Sequence, residues 1–335
     1  MPEQNRRFLL RERPAGRIDD STFALDVQPV PEIADGEALV RVSHLSVDPT
    51  NRTWIGEVPT YLPPVGIGEV MRAVGVGQVV ASKHPGYPVG SFATGLTGWQ
   101  DYCVAGGRLR LTPIPADFPA APEATLGVLG TTGMTAYFGM LEIADPQPGD
   151  TVVVSAAAGA VGSIAGQLAK LRGARVVGIA GGPEKCRLLT EELGFDATVD
   201  YKAPDWRAQL RAATPDGIDV DFENVGGEIM DAVFARLNRG ARVALCGLIS
   251  GYNEADPPPG PRSFGRLLTM RVRLQGFIIL DYWDRYPEGQ AALGQWLAEG
   301  RIIARETLVD GFDQLPHALN MLFDGQNVGK LLVRV

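Results

Sequence analysis

A strand-like apolar run leads into a turn of small residues, and this is the strongest chemical signal in the chain. Residues 152–155 are followed by Ala157-x-Gly159-x-x-Gly162, after which the sequence has helical character. Small residues let a backbone turn tightly and approach a pyrophosphate, whose charge then lies on the N–H groups at a helix N-terminus. A plain strand-to-helix joint also explains this turn, but five further strand–helix units follow it. The context favours a dinucleotide-binding site.

The residues after the second strand bear on the choice between NADH and NADPH. An NADH site usually has Asp or Glu about 20 residues beyond the glycine-rich turn, where it binds the ribose 2′-hydroxyl. Here the strand ends Gly178-Ile-Ala-Gly-Gly-Pro-Glu-Lys185, with no carboxylate at its tip and with a cation suited to a 2′-phosphate. This pattern favours NADPH. Two alternatives stay open: Glu184 takes the acidic role, or Lys185 is only a solvated residue at a helix start.

The histidines and cysteines do not form a metal-binding pattern. His44, His84 and His317 are far apart, and none is paired with a cysteine at a spacing such as CxxC or HxxxH. No serine stands in a GxSxG turn. The sequence therefore disfavours a zinc-dependent alcohol dehydrogenase and an α/β-hydrolase.

The segment after the fifth strand-like run supplies a hydrogen-bond donor. Without a metal, an isolated ketone lacks its usual Lewis acid, whereas hydride addition to the β-carbon of an enone gives an enolate that one or two donors stabilise. The segment reads Cys246-Gly-Leu-Ile-Ser-Gly-Tyr252, and Tyr252 is the candidate donor. The alternative is a tyrosine that only packs on the cofactor. We expect Cys246 to pack as a small apolar group beside the nicotinamide.

Six strand-like runs, alternating with helix-length segments, must position these residues. They cover residues 152–155, 175–179, 197–200, 220–222, 242–246 and 272–279. Strict alternation requires right-handed crossovers with helices on both faces of a parallel sheet, and such sheets bind nucleotides at the carboxyl ends of their strands. The predicted fold class is therefore α/β, with a doubly wound parallel sheet.

The two ends of the chain have a different pattern. Short β-like runs separated by Pro and Gly continue to about residue 115, and β-like runs return after residue 305. We therefore expect one domain over residues 1–120, completed by 301–335, and a second over 121–300. The helices and loop expected in the second domain lie around residues 133–142 (a helix or helix pair), 289–299 (a helix) and 257–261 (a stiff, proline-rich surface loop).

Composition excludes several classes of partner. The 335 residues carry 31 Lys and Arg against 39 Asp and Glu, a net charge of −8, so no general attraction to nucleic acid or anionic membranes is expected. Three cysteines fit no disulfide framework and no signal peptide is recognisable, so we expect a reducing cytoplasm. Residues 151–169 are uncharged and contain a GxxxG, but their spacing fits strand, loop and helix better than a membrane span.

Several short motifs together resemble the zinc-free branch of the medium-chain dehydrogenase/reductase superfamily. This branch contains prostaglandin reductases, alkenal double-bond reductases and bacterial curcumin reductases, and the similarity covers nearly the whole chain. The matching stretches are Leu45-Ser-Val-Asp-Pro49, Met134-Thr-Ala-Tyr-Phe-Gly139, Ala156-Ala-Ala-Gly-Ala-Val-Gly162, Asn224-Val-Gly-Gly227, Cys246-Gly247, Ser250, Tyr252-Asn253 and Asn327-Val-Gly-Lys330.

The resemblance implies a GroES-like β domain built from both chain ends, a Rossmann domain between them, bound NADPH and a homodimer. It implies that Lys185 and Tyr201 bind the 2′-phosphate, that Asn224 lies along the adenosine and ribose, and that Asn327 reaches the cofactor from the C-terminal segment. Tyr252 and the ribose 2′-hydroxyl polarise the substrate carbonyl. The residues implied to hold the pyrophosphate are Gly159, Ala160, Val161 and Gly162, and those implied to border the nicotinamide are Cys246, Gly247, Ser250, Tyr252, Phe277, Ile278 and Ile279.

Two departures from the family pattern concern the substrate and the cofactor. The family commonly has Tyr-Met-Arg after Asp48-Pro49, whereas Thr50-Asn51-Arg52 follows here, which favours a roomier or more polar substrate site. Glu223 replaces the usual Asp before Asn224. The main hypothesis is NADPH-dependent reduction of the C=C bond of small α,β-unsaturated ketones or aldehydes. NADPH:quinone oxidoreduction and a non-catalytic NADPH-binding sensor are the alternatives.

Overall fold

The computed structural model describes residues 4–107, 109–254 and 259–335, which divide into two compact units. Unit 1 comprises Met1–Gly127 with Thr307–Gln326 and Leu331–Val335, and unit 2 comprises Val128–Glu306 with Asn327–Lys330. The sequence pattern places the corresponding boundaries near residues 120 and 300. The first three residues, and Pro257 and Pro258 of the expected proline-rich loop, lie outside the described residues.

The described chain forms strands and helices in the following order. The strands are β1 Gln4–Leu10, β2 Phe23–Pro29, β3 Glu37–Val47, β4 Gly75–Ser82, β5 Phe92–Gly95, β6 Tyr102–Gly106, β7 Thr112–Ile114, β8 Thr151–Val154, β9 Arg175–Ala180, β10 Ala197–Asp200, β11 Ile218–Glu223, β12 Leu237–Leu245, β13 Arg273–Gly276, β14 Glu306–Asp310 and β15 Lys330–Arg334. The helices are α1 Pro49–Trp54, α2 Thr131–Phe138, α3 Ala160–Leu171, α4 Pro183–Glu191, α5 Trp206–Ala213, α6 Gly227–Phe234, α7 Gly265–Thr269, α8 Tyr286–Ala298 and α9 Leu315–Asp324.

Unit 1 is a β structure that joins the two ends of the chain. Its main sheet has the strand order β14-β15-β3-β4-β5-β7, with β6 also paired to β3, while β1 and β2 form a separate antiparallel ribbon. The last strand, β15, pairs antiparallel with β3. The core contains the fully buried Trp99, and Phe8 stacks on Phe312 with ring centroids 5.1 Å apart. Residues from both chain ends therefore share one hydrophobic core.

Unit 2 is built on a six-stranded sheet in the order β10-β9-β8-β11-β12-β13, and every neighbouring pair in it is parallel. Val152, Val153 and Val154 of β8 are fully buried, as expected for strands with both faces covered. The predicted α/β fold class with a doubly wound parallel sheet is confirmed. The sixth strand is shorter than predicted, because a 3₁₀ segment, Ile279–Arg285, follows it closely.

Neither unit, in the part of the chain that is described, has a helix that combines the length and the apolar character needed to cross a bilayer. The uncharged stretch 151–169 consists of β8, the glycine-rich turn and most of α3. The long apolar run is therefore divided between two elements of the fold.

Candidate active site

The turn between β8 and α3 has the geometry of a dinucleotide-binding loop. Ala156 has a positive φ of 47°, and Gly159, the N-cap of α3, is extended. A Cβ on Gly162 would stand 2.5 Å from the Ala156 carbonyl oxygen, so only glycine fits there. Ala160, Val161 and Gly162 supply the first backbone N–H groups of α3, which are the groups that bind phosphate at a helix N-terminus.

The C-terminal segment Asn327–Lys330 packs against this turn. The Gly329 N–H donates to the Ala158 carbonyl at 2.7 Å, and Gly329 has a positive φ of 64°. A Cβ on Gly329 would stand 1.8 Å from the Arg305 carbonyl oxygen. The Asn327 side chain is buried and donates from Nδ2 to the Gly329 carbonyl at 2.9 Å. The structure therefore brings Asn327 to the glycine-rich turn, where its amide stabilises the loop that carries it.

Two cations and an aromatic ring lie at the carboxyl ends of β9 and β10. Lys185 is half-buried in the first turn of α4, and burial, together with the nearby Lys202 ammonium, lowers its pKa. The Tyr201 ring lies against Gly181, and burial raises the pKa of its hydroxyl. Neighbouring cations favour a bound anion, because an anion relieves both their desolvation and their mutual repulsion. Lys202, which directly follows Tyr201, was not among the residues predicted from the sequence.

A carboxylate does reach the tip of β9, although β9 itself supplies none. Asp200, at the end of β10, lies opposite Ala180 in the parallel pairing. Its Oδ1 accepts hydrogen bonds from the Gly182 N–H at 2.7 Å and the Lys202 N–H at 3.0 Å. Through these two hydrogen bonds, Asp200 holds the loop that leads to Lys185 and the turn that carries Tyr201. Glu184, the alternative acidic residue, is exposed in the first turn of α4.

A buried network joins the ends of β8 and β11. The Glu223 side chain is fully buried, and its Oε1 accepts from Ser155 Oγ at 2.8 Å, from the Val225 N–H at 2.5 Å and from the Gly226 N–H at 2.9 Å. The Asn224 side chain donates from Nδ2 to the Ser155 carbonyl at 2.7 Å. Neither Ser155 nor the contacts of Glu223 was found from the sequence. The signal in the sequence was a polar residue at the end of each of two apolar strands: Ser155 after β8 and Glu223 at the end of β11.

Tyr252 lies over the end of β12. The Leu248 N–H donates to Tyr252 Oη at 3.2 Å, and a Cβ on Gly247 would stand 3.3 Å from that oxygen. The Ser250 hydroxyl donates to the Val225 carbonyl at 2.6 Å, which ties this segment to the end of β11. Burial, reinforced by the Glu223 carboxyl, raises the pKa of the Cys246 thiol to about 12, so the thiol is protonated at neutral pH.

Phe277, Ile278 and Ile279 follow β13. A Cβ on Gly139 would stand 2.5 Å from Phe277 Cζ and 2.8 Å from Phe222 Cε2, so the Phe277 ring packs on the glycine that begins the π-helical turn Gly139–Ala144. Ile278 is exposed and Ile279 is half-buried. The structure thus gives Phe277 a packing role in unit 2.

Asn51, in the run that departs from the family pattern, has a structural role, and the roomier or more polar substrate site stays a prediction. Asn51 is buried and forms a capping box at the start of α1: its Oδ1 accepts from the Asp48 N–H at 2.7 Å, and its Nδ2 donates to the Arg72 carbonyl at 3.0 Å. Arg52 is also buried and donates to the Gly16 and Pro14 carbonyls. Of the three departing residues, Thr50 is the one with a side-chain partner near the surface, the Tyr61 hydroxyl at 2.5 Å.

Within the described ranges, no group of three or more His, Cys, Asp or Glu side chains is arranged to hold a metal ion. The three cysteines are all free thiols: Cys103 is buried, and Cys186 and Cys246 are partly exposed as residues. The site assembled above consists of backbone N–H groups, two lysines, neutral polar side chains, the carboxyl groups of Asp200 and Glu223, and Tyr252.

Comparisons with known proteins show the family of the chain. Residues 6–112 match the family described as the N-terminal domain of oxidoreductase, and residues 160–295 match the family described as zinc-binding dehydrogenase. The chain is 46% identical to the NADPH-dependent curcumin reductase of Escherichia coli (strain K12), over 99% of this chain and 97% of that protein. It is 38% identical to the 2-alkenal reductase (NADP(+)-dependent) of Nicotiana tabacum, over 91% and 89%.

A solved structure extends the similarity to three dimensions. The crystal structure of CurA in complex with NADPH from Vibrio vulnificus superposes with a TM-score of 0.94 at 46% identity, covering 98% of this chain and 99% of that one. Identity of this extent over nearly the full length of several relatives goes well beyond a shared fold. The chain therefore belongs to the medium-chain dehydrogenase/reductase superfamily, in the branch of the curcumin, prostaglandin and 2-alkenal reductases.

Proposed function

We propose that this protein reduces the C=C bond of α,β-unsaturated ketones or aldehydes with NADPH. It is an NADPH-dependent oxidoreductase of its family, whose members include enzymes named for curcumin and for 2-alkenals. The observation that supports the substrate class is the Tyr252 hydroxyl, which lies over Gly247 at the carboxyl end of β12. A hydroxyl at that end of a doubly wound sheet is suitably placed to meet a carbonyl beside a nicotinamide.

The residues at the strand ends fit NADPH. The first N–H groups of α3, at Ala160, Val161 and Gly162, would hold the pyrophosphate, because a turn without Cβ atoms allows close approach. Lys185, with Lys202 near it, would bind the 2′-phosphate, and the Tyr201 ring would close that site. Asn224 would lie along the ribose, with its amide held by the Ser155 carbonyl.

When bound, NADPH supplies a hydride to the β-carbon of the substrate. The C=C π bond breaks as the new C–H bond forms, and its electron pair moves toward the carbonyl oxygen to give an enolate. The Tyr252 hydroxyl donates to that oxygen, and accepting a bond from the Leu248 N–H strengthens it as a donor. A solvent proton then adds to the α-carbon, which gives the saturated carbonyl compound and NADP⁺. Cys246 stays a protonated thiol and takes no part in proton transfer.

An absorbance assay at 340 nm tests the proposal. We expect NADPH to be consumed with members of a panel of enones and alkenals, and much more slowly with isolated ketones. The products are saturated at the former double bond, which mass spectrometry detects as a gain of two hydrogens. A folded protein that binds NADPH but reduces no compound of the panel would contradict the proposal. Turnover of quinones alone would instead assign the quinone reaction.

We propose further that catalysis is independent of zinc. Within the described residues, no group of three or more His, Cys, Asp or Glu side chains is arranged to hold a metal ion, and the donors proposed to act on substrate and cofactor are a tyrosine hydroxyl, lysines and backbone N–H groups. The test is metal analysis of the purified protein together with turnover after treatment with a chelator. Stoichiometric zinc whose removal abolishes turnover would overturn this proposal.

We also propose a homodimer formed through the edge of the unit 2 sheet. In the part of the chain that is described, β13 is the last strand of that sheet, and all four of its residues are exposed. Exposed apolar side chains occur in the segments that precede and follow it in the chain, among them Phe264, Leu268 and Trp283. An open strand edge beside an apolar patch is normally covered, and a second copy covers it with the same surface.

A cytoplasmic location is proposed on chemical grounds. All three cysteines are free thiols, and the cofactor and the solvent-derived proton are both available in a reducing compartment. Cell fractionation followed by detection of the protein in the cytosolic fraction would test this.

A further inference from the structure

A single buried carboxyl group organises the site where three strands end. Glu223 Oε1 receives three hydrogen bonds, from Ser155 Oγ and from the backbone N–H groups of Val225 and Gly226. Ser155 Oγ in turn accepts from the Asn224 N–H at 2.7 Å. Glu223 therefore fixes the end of β8, which enters the glycine-rich turn, relative to the turn that presents Asn224.

The backbone of the same residue holds the end of β12. The Glu223 carbonyl accepts from the Cys246 N–H at 2.9 Å and the Gly247 N–H at 3.1 Å. Further along, the Ile249 N–H donates to the Asn224 carbonyl at 3.2 Å, and the Ser250 N–H donates to the Val225 carbonyl at 3.0 Å. The segment that ends at Tyr252 is thus tied by its backbone to the turn that the Glu223 side chain shapes.

Asp221 provides an internal contrast on the same strand. It is also fully buried, yet among the described residues neither of its carboxyl oxygens has a hydrogen-bond partner. Burial raises the pKa of both acids, and in Glu223 the bonds from Gly226, Val225, Ser155 and Asn224 oppose that rise. Among the described residues, Glu223 Oε2 and both oxygens of Asp221 lack a partner, and Glu223 Oε1 is the carboxyl oxygen of this pair that is bonded to the site.

We propose that Glu223 is a positioning residue, whose Oε1 holds Asn224 and the Tyr252 segment in the arrangement that binds NADPH and donates to the substrate. The inference rests on the proposed function. It requires an accepting oxygen at this position and does not require a negative charge. Glutamine supplies such an oxygen at the same length, whereas methionine has the length and no comparable acceptor.

The experiment compares Glu223→Gln and Glu223→Met with the matched control Asp221→Asn. The dissociation constant of NADPH is measured by fluorescence titration, and kcat and KM for an enone by steady-state assay. We expect Glu223→Met to raise the NADPH dissociation constant roughly tenfold or more, because three buried donors lose their acceptor. It should also lower kcat at saturating NADPH. Glu223→Gln and Asp221→Asn should both stay within about threefold of wild type in both quantities.

The outcomes separate this inference from the proposed function. If the wild-type protein does not bind NADPH, the proposed function fails and the inference fails with it. If it does bind, and folded Glu223→Met binds NADPH and turns over as wild type does, only the positioning role is overturned. Equal weakening by Glu223→Met and Asp221→Asn would also overturn it, since that pattern indicates general damage to the core.

A milder variant covers the case in which Glu223→Met does not fold. Ser155→Ala removes one donor to Glu223 and the acceptor for the Asn224 N–H, and leaves the backbone donors of Val225 and Gly226 in place. We expect a rise of about threefold to tenfold in the NADPH dissociation constant, with the melting temperature close to that of wild type. An unchanged dissociation constant would overturn the proposal.

Discussion

The ring of Tyr201 lies so close to Gly181 that a Cβ on the glycine would stand 2.9 Å from the tyrosine oxygen. The glycine at the end of β9 therefore sets the position of an aromatic ring that comes from the end of β10. Lys185 and Lys202 lie near each other in the same region, which is where we propose that the 2′-phosphate binds.

Gly181→Ala should displace Tyr201 and weaken the preference for NADPH. We expect KM for NADPH to rise roughly tenfold, with a much smaller change for NADH, because the displaced hydroxyl and ring act on the 2′-phosphate. The measurement is kcat/KM with each cofactor. Gly265→Ala is the matched control, since a Cβ on Gly265 meets nothing within 4 Å. Equal losses with NADPH and NADH would contradict the placement of the 2′-phosphate beside Tyr201.

Lys185→Ala should remove a cation from the same site. Charge-assisted hydrogen bonds contribute about 1.5–3 kcal/mol, so we expect KM for NADPH to rise by roughly tenfold or more. Lys170→Ala is a suitable control because that lysine pairs with Asp196 on the surface of the same unit. The ratio of kcat/KM for NADPH to that for NADH is the quantity to compare. A ratio unchanged by Lys185→Ala would show that the 2′-phosphate binds elsewhere.

Tyr252→Phe should lower turnover more than it lowers cofactor binding. If the hydroxyl donates to the carbonyl oxygen as the enolate forms, its removal costs about 10²–10³ in kcat, while the NADPH dissociation constant changes little. Tyr282→Phe serves as the control, because the Tyr282 ring stacks on Phe138 in a packing role. If Tyr252→Phe has the kcat of wild type, the hydroxyl is not the donor. Tyr252 then only packs on the cofactor, which is the alternative given in the sequence analysis.

The strands of unit 2 were predictable because their signal is local. Runs such as residues 152–154 are apolar throughout, and the small residues that follow mark the turn without reference to the rest of the chain. The neighbours of each strand are not a local property. Asp200 reaches the tip of β9, and Ser155 meets Glu223, only because the sheet order is β10-β9-β8-β11-β12-β13. The sequence therefore indicated which strands carry the site and did not show how their ends are joined.

The capping role of Asn51 was not predicted, for a different physical reason. Helix α1 has six residues, too few for the periodicity that reveals a helix in a sequence. Its start was nevertheless encoded: Asp48 is the N-cap, Pro49 the first helical residue and Asn51 the reciprocal capping partner.

Asp221→Asn should make the protein more stable at alkaline pH. Burial, and then the nearby Glu223 carboxyl, raise the pKa of Asp221 well above 3.8. A group whose pKa is raised by folding contributes stability that is fully present below its unfolded pKa and is lost as the pH rises through its folded pKa. Asparagine does not titrate, so the variant does not lose this stability as the pH rises.

To check this expectation, the melting temperatures of wild type and Asp221→Asn are measured at a series of pH values from about 5 to about 9. The melting temperature of the variant should exceed that of wild type by a margin that grows with pH. A gain of about 1 kcal/mol in the free energy of unfolding corresponds to a rise of roughly 2–4 °C in the melting temperature. Asp219→Asn is a control on the same strand, since Asp219 is only partly buried and accepts hydrogen bonds from Thr151 and Asn238. A difference between wild type and Asp221→Asn that is constant with pH would mean that Asp221 is not the titrating group.

Leu274→Lys should separate the proposed dimer into monomers. Leu274 lies in β13, whose four residues are exposed, and a lysine on a strand edge opposes pairing with a second strand because two desolvated cations would meet across the two-fold axis. Light scattering after size exclusion should give about twice the chain mass of 35.8 kDa for wild type and the chain mass for the variant. Val58→Lys, at an exposed apolar residue of unit 1, should leave the dimer intact. A wild-type protein that is monomeric at micromolar concentration would contradict the use of β13 as an interface.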